Sequence, residues 1–288
     1  MTAGAKLIFH GVRGSSPSTG VDFVEYGGDT PAIECQIAEG RIFLDAGSGL
    51  GNVRANPDFP DDFDLVLSHY HYDHLVGLPF FEPLWRISGR MRLFAPKFGD
   101  AEPADILAAF FASPFCPVRL SDFRTRIEVV SYRPGDMWRS ATGLHISSLP
   151  VSHPGGCAAI RIGGAGIDAV YASDAELGVD VDITALANFA RSAALFIVDA
   201  MNGDEDADKR RGWGHASWRE AIATGTAAEA QSIALFHHDP KRTDIDLVRL
   251  GARARALAPN VFVARQGAAF RFKPCEDRGE ISSWRCSR

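Results

Sequence analysis

The sequence predicts an α+β fold in which two mixed β-sheets pack face to face with helices on the outside. Short β-like segments separated by turn residues dominate the first half of the chain, whereas strands alternate with helical stretches in the second half. A block of strands followed by helix and strand therefore occurs twice. Because no linker rich in Pro, Gly or Ser separates the blocks, we predict a single domain over residues 1–275.

The individual elements follow from runs of apolar and β-branched residues that end at turn residues, and from helical periodicity. Strands of the first half are predicted over 6–12, 30–38, 41–45 and 64–68. Strands of the second half are predicted over 144–150, 158–162, 167–172, 194–199, 232–236 and 261–264. Helices are predicted over 183–191, 218–230 and 244–258.

The middle of the chain, residues 75–131, is its least regular part. It is rich in proline and aromatic residues, and eight of the nineteen phenylalanines lie between Phe80 and Phe123. We interpret residues 80–123 as an aromatic-rich insertion or lid over the active site, or as a dimer face. A purely internal core is the alternative. Residues 276–288 are polar and are predicted to form a loose C-terminal tail.

Composition and charge indicate a globular protein without a nucleic-acid-binding surface. A chain of 288 residues that is 46% hydrophobic can bury a large core. The net charge of -6 argues against long nucleic acid as a partner, because phosphate backbones are bound by clustered Lys and Arg. We find no signal peptide and no apolar stretch long enough for a membrane span, so we expect neither export nor membrane insertion. Five cysteines without a CxxC pair predict no disulfide framework and favour the cytoplasm.

Three imidazoles and one carboxylate lie within the six residues His69 to His74, directly after a short apolar run. Imidazole nitrogen and carboxylate oxygen are ligands suited to zinc, manganese or iron. In extended backbone, His69 and His71 point the same way and can reach one ion. Asp73 and His74 come where the chain turns, which directs them toward a second ion. A chance cluster on a solvated loop is the competing interpretation, disfavoured because the whole chain has only nine histidines.

Three further residues with metal-binding side chains come at or just after the ends of predicted strands: His153, Asp174 and His237. Strand ends of this kind bring side chains together along one edge of a sheet pair. Each residue alone has another explanation, as a loop histidine, a helix N-cap or a surface histidine. Together with the His69–His74 cluster, they predict a dinuclear metal site.

This arrangement resembles the metallo-β-lactamase superfamily of dinuclear hydrolases, whose His-x-His-x-Asp-His motif matches residues 69–74. The resemblance spans roughly residues 6–273 and implies a four-layer αββα sandwich. It also implies two divalent metal ions, with zinc favoured and manganese or iron as alternatives. Carried over to this chain, it assigns one ion to His69, His71 and His153, the other to Asp73, His74 and His237, and the bridge between them to Asp174.

The same resemblance suggests roles for residues near these ligands. Asp45 matches the early Asp-x-Gly motif, which in the family supports the metal loop (residues 68–74 here) without binding metal itself. The alternative is that Asp45 simply ends a strand before a glycine turn. The adjacent His237 and His238 compete for one ligand position, and the Leu-x-His pattern together with strand alternation favours His237. Segment 11–17 resembles a loop of bacterial phosphodiesterase-like members, where its amides would line a phosphate pocket; a turn without a catalytic role is the alternative.

The segment Gly214-His215-Ala216-Ser217 distinguishes between branches of the superfamily. A Gly-His-x-Ser segment followed by a helix and a strand resembles the phosphodiesterase branch, which includes ribonuclease Z and bacterial cyclic-phosphodiester hydrolases. By that resemblance His215 is catalytic and meets the scissile phosphate; a helix cap is the alternative role. Ribonuclease Z itself is disfavoured, because the twenty residues between His153 and Asp174 leave no room for its long RNA-binding arm.

The resemblance therefore implies a metal-dependent hydrolase acting on a small phosphodiester, for example a cyclic nucleotide. Two cations would lower the pKa of a shared water, Asp73 would orient the resulting hydroxide, and His215 would protonate the leaving oxygen. A lactone, thioester or β-lactam hydrolase with the same ions is the alternative enzyme. A metal-holding module that binds a partner without catalysis is the alternative outside enzymes. Superfamily relatives commonly dimerise, so a homodimer is predicted.

Overall fold

A computed structural model describes residues 4–178 and 183–273, so the predicted tail at 276–288 lies outside the described residues. Strands of the first half are β1 (Lys6–Gly11), β2 (Ala32–Ile37), β3 (Gly40–Leu44), β4 (Asp62–Val66), β5 (Arg90–Pro96) and β6 (Arg126–Tyr132). Later strands are β7 (Met137–Arg139), β8 (His145–Val151), β9 (Cys157–Gly164), β10 (Ile167–Ala172), β11 (Leu195–Asp199), β12 (Ile233–Phe236), β13 (Val261–Val263) and β14 (Ala269–Arg271). Helices are α1 (Glu82–Arg86), α2 (Pro103–Phe110), α3 (Ile183–Phe189), α4 (Trp218–Ala227) and α5 (Asp244–Leu257). None of these described helices is long and apolar enough to cross a membrane.

The strands form two seven-stranded sheets, and antiparallel and parallel pairings follow one another in the same order in both. The first sheet has the order β14-β1-β2-β3-β4-β5-β6, with three antiparallel pairings followed by three parallel ones. The second sheet, β7-β8-β9-β10-β11-β12-β13, repeats this pattern of three antiparallel and three parallel pairings. Strands β3 and β10 therefore occupy equivalent places, as do β4 and β11.

Apolar side chains fill the layer between the sheets and both layers outside them. Ile33 and Phe236 are fully buried between the sheets. Trp218 packs with α3, α4 and α5 against the outer face of the second sheet, and Phe81 packs with α1 and α2 against the first. Each fully buried side chain of this size contributes roughly 1.5–3 kcal/mol by leaving water. The predicted four-layer αββα sandwich of two mixed sheets is confirmed.

Helix α4 begins directly after the segment that carries His215. Its N-cap is Ser217, whose hydroxyl accepts a hydrogen bond from the Glu220 amide at 3.2 Å. The Glu220 carboxylate in turn accepts one from the Ser217 amide at 2.8 Å. A cap of this kind is worth about 1 kcal/mol and fixes the point at which the chain leaves the site.

Two strands lie in the region that the sequence indicated as irregular. Strands β5 and β6 continue the parallel part of the first sheet, and β5 pairs with a strand on each side. Because β5 belongs to residues 80–123, that segment is not wholly an insertion. Phe81 and Phe111 are buried beneath this sheet, whereas Phe115 is 87% exposed. A lid or a dimer face built on the exposed part stays a prediction.

Candidate metal centre

The seven residues predicted as metal ligands converge at one edge of the sandwich, where β4, β8, β10 and β12 end. The carboxyl ends of neighbouring parallel strands meet at the same edge, which explains why side chains distant in sequence come together. Within each of two groups, the ligand atoms lie within 4.8 Å of one another. The first group contains His69, His71, His153 and Asp174, and the second contains Asp73, His74 and His237.

Asp174 belongs to the first group and also lies close to residues of the second. It forms a further group of this kind with Asp199, His215 and His237. Its Oδ1 is 3.9 Å from Nε2 of His69 and 3.6 Å from Nε2 of His153. Its Oδ2 is 3.2 Å from Nε2 of His74 and 3.3 Å from Nε2 of His237. The two oxygens of one carboxylate thus face different groups, an arrangement suited to bridging two cations.

Asp45 holds the metal loop from behind. It is fully buried, and its φ of 57° lies in the left-handed region that non-glycine residues rarely adopt. Its carboxylate accepts hydrogen bonds from the Ser68 amide (2.7 Å), the Ser68 hydroxyl (2.8 Å), His74 Nδ1 (2.7 Å) and the Tyr171 hydroxyl (2.7 Å). Ser68 and His74 follow the first sheet while Tyr171 is on β10, so Asp45 connects the metal loop to both sheets.

These hydrogen bonds decide which imidazole nitrogen faces the centre. His74 Nδ1 donates to the Asp45 carboxylate, so in the neutral ring the lone pair is on Nε2. The Ser68 hydroxyl donates to Asp45 and therefore accepts from His69 Nδ1 at 3.0 Å, which leaves a lone pair on Nε2 there too. Among the described residues, neither Nε2 has a hydrogen-bond partner, although both are buried. Buried lone pairs that converge with carboxylates fit a divalent cation.

The pKa values of the imidazoles agree with this role. Burial, together with neighbouring imidazoles, lowers the pKa of His69 well below its usual value, and burial lowers the pKa of His153 to about 4. Both rings are therefore neutral at pH 7, the form that binds metal. Burial also opposes a proton on His74, but the carboxylates of Asp73 and Asp174 raise its pKa. A divalent cation attracted by the same carboxylates would displace that proton.

The centre opens to solvent on the side of His71, which is exposed while His69 and His74 are buried. His71 Nδ1 lies 2.9 Å from Nε2 of His153. His153 Nδ1 donates to the backbone carbonyl of Gly214 at 2.8 Å, which directs its Nε2 to the centre. The loop before α4 therefore fixes the orientation of one predicted ligand.

His215 lies beside the centre and is held by a carboxylate that the sequence analysis did not single out. His215 Nδ1 donates to Asp199 Oδ2 at 2.7 Å, and its ring stacks on that of His237 with centroids 5.0 Å apart. Asp199 is fully buried, and its other oxygen accepts from the Met201 amide at 2.9 Å. Although burial lowers the pKa of His215, Asp199 raises it to about 9. This imidazole can carry and donate a proton.

His237 and His238 point to opposite sides. His237, with a φ of 55°, places Nε2 3.3 Å from Asp73 Oδ2. His238 donates from Nε2 to the carbonyl of Ala264 at 2.9 Å, and burial lowers its pKa to about 3. The structure thus brings His237, and not His238, to the centre.

The sequence matches the family model described as a β-lactamase superfamily domain over residues 40–238, more than half of the chain. The chain belongs to the metallo-β-lactamase superfamily. A comparison of this superfamily member with curated protein sequences gave no significant match.

Solved structures similar to this superfamily member share its fold at low sequence identity. The metallo-β-lactamase fold protein YhfI from Bacillus subtilis is 19% identical, with a TM-score of 0.70 and coverage of 93% of this chain and 99% of that one. A diphosphatase from the PhnP family is 17% identical, with a TM-score of 0.66 and coverage of 94% and 99%. The short form of human tRNase Z is 14% identical, with a TM-score of 0.66 and coverage of 93% and 99%. These similarities establish the fold of the superfamily member.

Asp199 and Glu176 also contact the site of this superfamily member, although neither was predicted from the sequence as a site residue. Asp199 ends β11 much as Asp174 follows β10, so the same strand-end pattern pointed to it. Glu176 accepts hydrogen bonds from the amides of Gly212 (2.8 Å) and Gly214 (2.9 Å) and so holds the loop that carries His215. No sequence motif pairs Glu176 with a loop more than thirty residues away.

Segment 11–17, predicted to line a phosphate pocket, contacts a predicted ligand. The amide of Ser15 donates to Asp73 Oδ2 at 2.8 Å, and Ser15 adopts a φ of 60° to do so. A side chain on Gly14 would come within 2.4 Å of His237 Nδ1. This segment therefore forms part of the wall of the centre.

Proposed function

We propose that this superfamily member is a metal-dependent phosphodiesterase that hydrolyses a small phosphodiester. The observation that carries the proposal is the His215–Asp199 pair, an imidazole 2.7 Å from a buried carboxylate, placed beside the predicted ligands. Hydrolysis of a phosphodiester needs positive charge around the phosphoryl oxygens and a proton for the departing oxygen. The names of two similar structures, a diphosphatase and a tRNase, support phosphoryl chemistry.

The predicted ligands divide between two divalent cations. Zinc is favoured because imidazole is the commonest donor in the set, and manganese and iron are the alternatives. When bound, the two cations would lower the pKa of a shared water and stabilise negative charge on the phosphoryl group. In this proposal one cation would be held by His69, His71 and His153, the other by Asp73, His74 and His237, and Asp174 would contribute to both.

The residues of the chain supply orientation and a proton. Asp73 accepts from the Ser15 amide, which fixes its carboxylate where it would align the attacking water. His215 donates its proton to the departing oxygen as the phosphorus–oxygen bond breaks, and Asp199 keeps this imidazole in place and charged. The products are an alcohol and a phosphomonoester.

The proposal is tested with a His215→Ala variant. It should keep both metal ions and lose about 10²- to 10⁴-fold in kcat on a cyclic nucleotide, whose alkoxide leaving group needs the proton. The loss on bis(p-nitrophenyl) phosphate should be smaller, because p-nitrophenolate leaves readily without protonation. Kinetics are combined with metal analysis, and His145→Ala, which removes an exposed histidine on β8, is the matched control.

Full activity of His215→Ala on the cyclic nucleotide would remove the proposed role. Nitrocefin and a homoserine lactone test hydrolysis at a carbonyl carbon. If the wild-type protein turned over either compound and no phosphodiester, the phosphodiesterase proposal would be wrong.

We further propose that the protein acts in a reducing cytoplasm, probed by measuring free thiols in the protein as isolated. Cys35, Cys116 and Cys157 are not disulfide-bonded to one another, which supports this location.

The predicted homodimer is tested by light scattering after size-exclusion chromatography.

A further inference from the structure

A tryptophan stands exposed beside the predicted metal centre on a loop that is firmly held. Trp213 is 62% exposed. Its two neighbours, Gly212 and Gly214, adopt φ values of 83° and 85°, which favour glycine. The Glu176 carboxylate accepts from the amides of both glycines, at 2.8 Å and 2.9 Å. The backbone on each side of Trp213 is therefore held by Glu176, while the indole stays exposed to solvent.

This loop lies against the predicted centre. The carbonyl of Gly214 accepts from His153 Nδ1 at 2.8 Å, and a Cβ on Gly214 would come within 2.1 Å of the same nitrogen. The proposed proton donor, His215, is the next residue. Trp213 is thus one residue from a contact to a predicted ligand and two residues from the proposed proton donor.

One face of the indole has a neighbour. The Arg210 guanidinium lies over the ring, 5.8 Å from its centroid, and is held by an ion pair with Asp239 at 2.6 Å. Because the side chain is still 62% exposed, its opposite face is accessible to a ligand. A planar ring stacked on that face would lie against a side chain only two residues along the chain from His215.

We propose that Trp213 stacks on a nucleobase, so that the substrate is a nucleoside phosphodiester rather than a simple alkyl one. This inference rests on the proposed function and specifies its substrate class. Base–aromatic stacking favours binding, and an aromatic side chain, which has only two side-chain torsions, loses little conformational entropy when the stack forms. Single exposed apolar residues are common on protein surfaces. Trp213 differs from them because Glu176 holds the glycines on both sides of it, in the loop that carries His215.

Two substrates with the same leaving group test the inference. Thymidine 5′-(p-nitrophenyl phosphate) carries a nucleobase, whereas methyl p-nitrophenyl phosphate does not. In Trp213→Ala, the ratio of kcat/KM for the thymidine ester to that for the methyl ester should fall about tenfold, mainly through KM. Trp213→Phe should keep most of the ratio, because a smaller ring still stacks. The control is Leu257→Ala, which removes an exposed apolar side chain at the far end of α5, and it should not change the ratio.

The outcomes separate the two proposals. If the wild-type protein hydrolyses both esters and Trp213→Ala leaves the ratio unchanged, stacking is refuted while the phosphodiesterase proposal stands. An equal loss of the ratio in Trp213→Ala and Trp213→Phe also refutes stacking, since it would reflect damage to the loop. If the wild-type protein hydrolyses neither ester with metal present, the proposed function fails and this inference fails with it.

Discussion

Among single residues, Asp199 shows how a buried carboxylate defines the role of its neighbour. It lies 2.7 Å from His215 Nδ1 and is fully buried. The hydrogen bond selects the tautomer and orientation of the ring, while the charge raises the pKa of His215. Removal of the charge should therefore impair proton donation without removing a predicted ligand.

Asp199→Asn is expected to lower kcat on a cyclic nucleotide by at least about 10-fold, within the range that a positioned acid contributes. Metal content should stay at the wild-type value. Asp168→Asn serves as control, because Asp168 pairs with Arg161 on β9 and is partly exposed. A variant with reduced metal content would instead indicate that Asp199 supports the ions.

Asp45→Asn tests the support of the metal loop. An amide offers one carbonyl oxygen to the four donors that now converge on the carboxylate. Metal affinity should fall by about 10- to 100-fold, as expected when a residue that hydrogen-bonds to metal ligands is replaced. Asp64→Asn is a matched control, since Asp64 is also fully buried but pairs with Arg92 at 2.7 Å. Equal metal affinities of the two variants in a competition titration would contradict this role.

Among the elements, the loop between β11 and α4 contacts a predicted metal ligand and also carries the proposed proton donor. Gly214 contacts His153 through its carbonyl, and Glu176 fixes the loop through the amides of Gly212 and Gly214. One short segment thereby orients a predicted ligand and carries the proposed acid. Its glycines have different surroundings, which allows a controlled comparison.

Gly214→Ala should be more damaging than Gly212→Ala. Both glycines have positive φ, so either alanine costs roughly 1–2 kcal/mol of backbone strain. Only at Gly214 would the new Cβ also meet His153 Nδ1 at 2.1 Å, because nothing lies within 4 Å of a Cβ at Gly212. The free energy of unfolding and the metal affinity of each variant are measured by denaturation and titration. Similar losses in both would show that the contact with His153 is unimportant.

Most strands and helices could be predicted because they contain long runs of apolar residues. Short or polar elements could not be predicted. The structure confirms β10 with the predicted bounds of Ile167–Ala172. Strands β7 and β14 have only three residues each, too few for a pattern to be recognised. Strand β5 lies in the aromatic-rich segment 80–123 and β6 follows it, and neither was predicted.

Predictability within the candidate site depended on local motifs. The His69–His74 cluster is compact in sequence, so its convergence with strand-end residues could be predicted. Asp199 fits the strand-end pattern, but its pairing with His215, 16 residues away, does not follow from that pattern. Glu176 acts through a loop 36 residues away, and a single acidic residue carries no indication of such a partner. Pairing across loops is set by tertiary packing.

For the whole molecule, the predicted ligand set is divided between the two halves of the sandwich. His69 to His74 follow the first sheet, whereas His153, Asp174 and His237 follow strands of the second. Neither half alone holds a complete centre. Bound ions would therefore stabilise the packing of one sheet on the other.

Divalent metal should raise the thermal stability of the protein after chelation and dialysis. At a free concentration of 100 Kd, one site adds about 2.7 kcal/mol to the free energy of unfolding. For a chain of this size that corresponds to an increase of roughly 4–5 °C in Tm. Calorimetry with and without zinc measures the shift, and His237→Ala should reduce it. A Tm independent of metal in the wild-type protein would argue against ions at this interface.

The outer edges of the two sheets bear on solubility. Among the described residues, edge strands β7, β13 and β14 have three residues each, too short to template pairing with another chain. Edge strand β6 has seven, with Val129 and Val130 half-buried along it. Arg126 and Glu128 are exposed on the same strand and oppose the addition of a further strand. Aggregation through strand pairing would therefore begin at β6, and these two charged residues are its main protection.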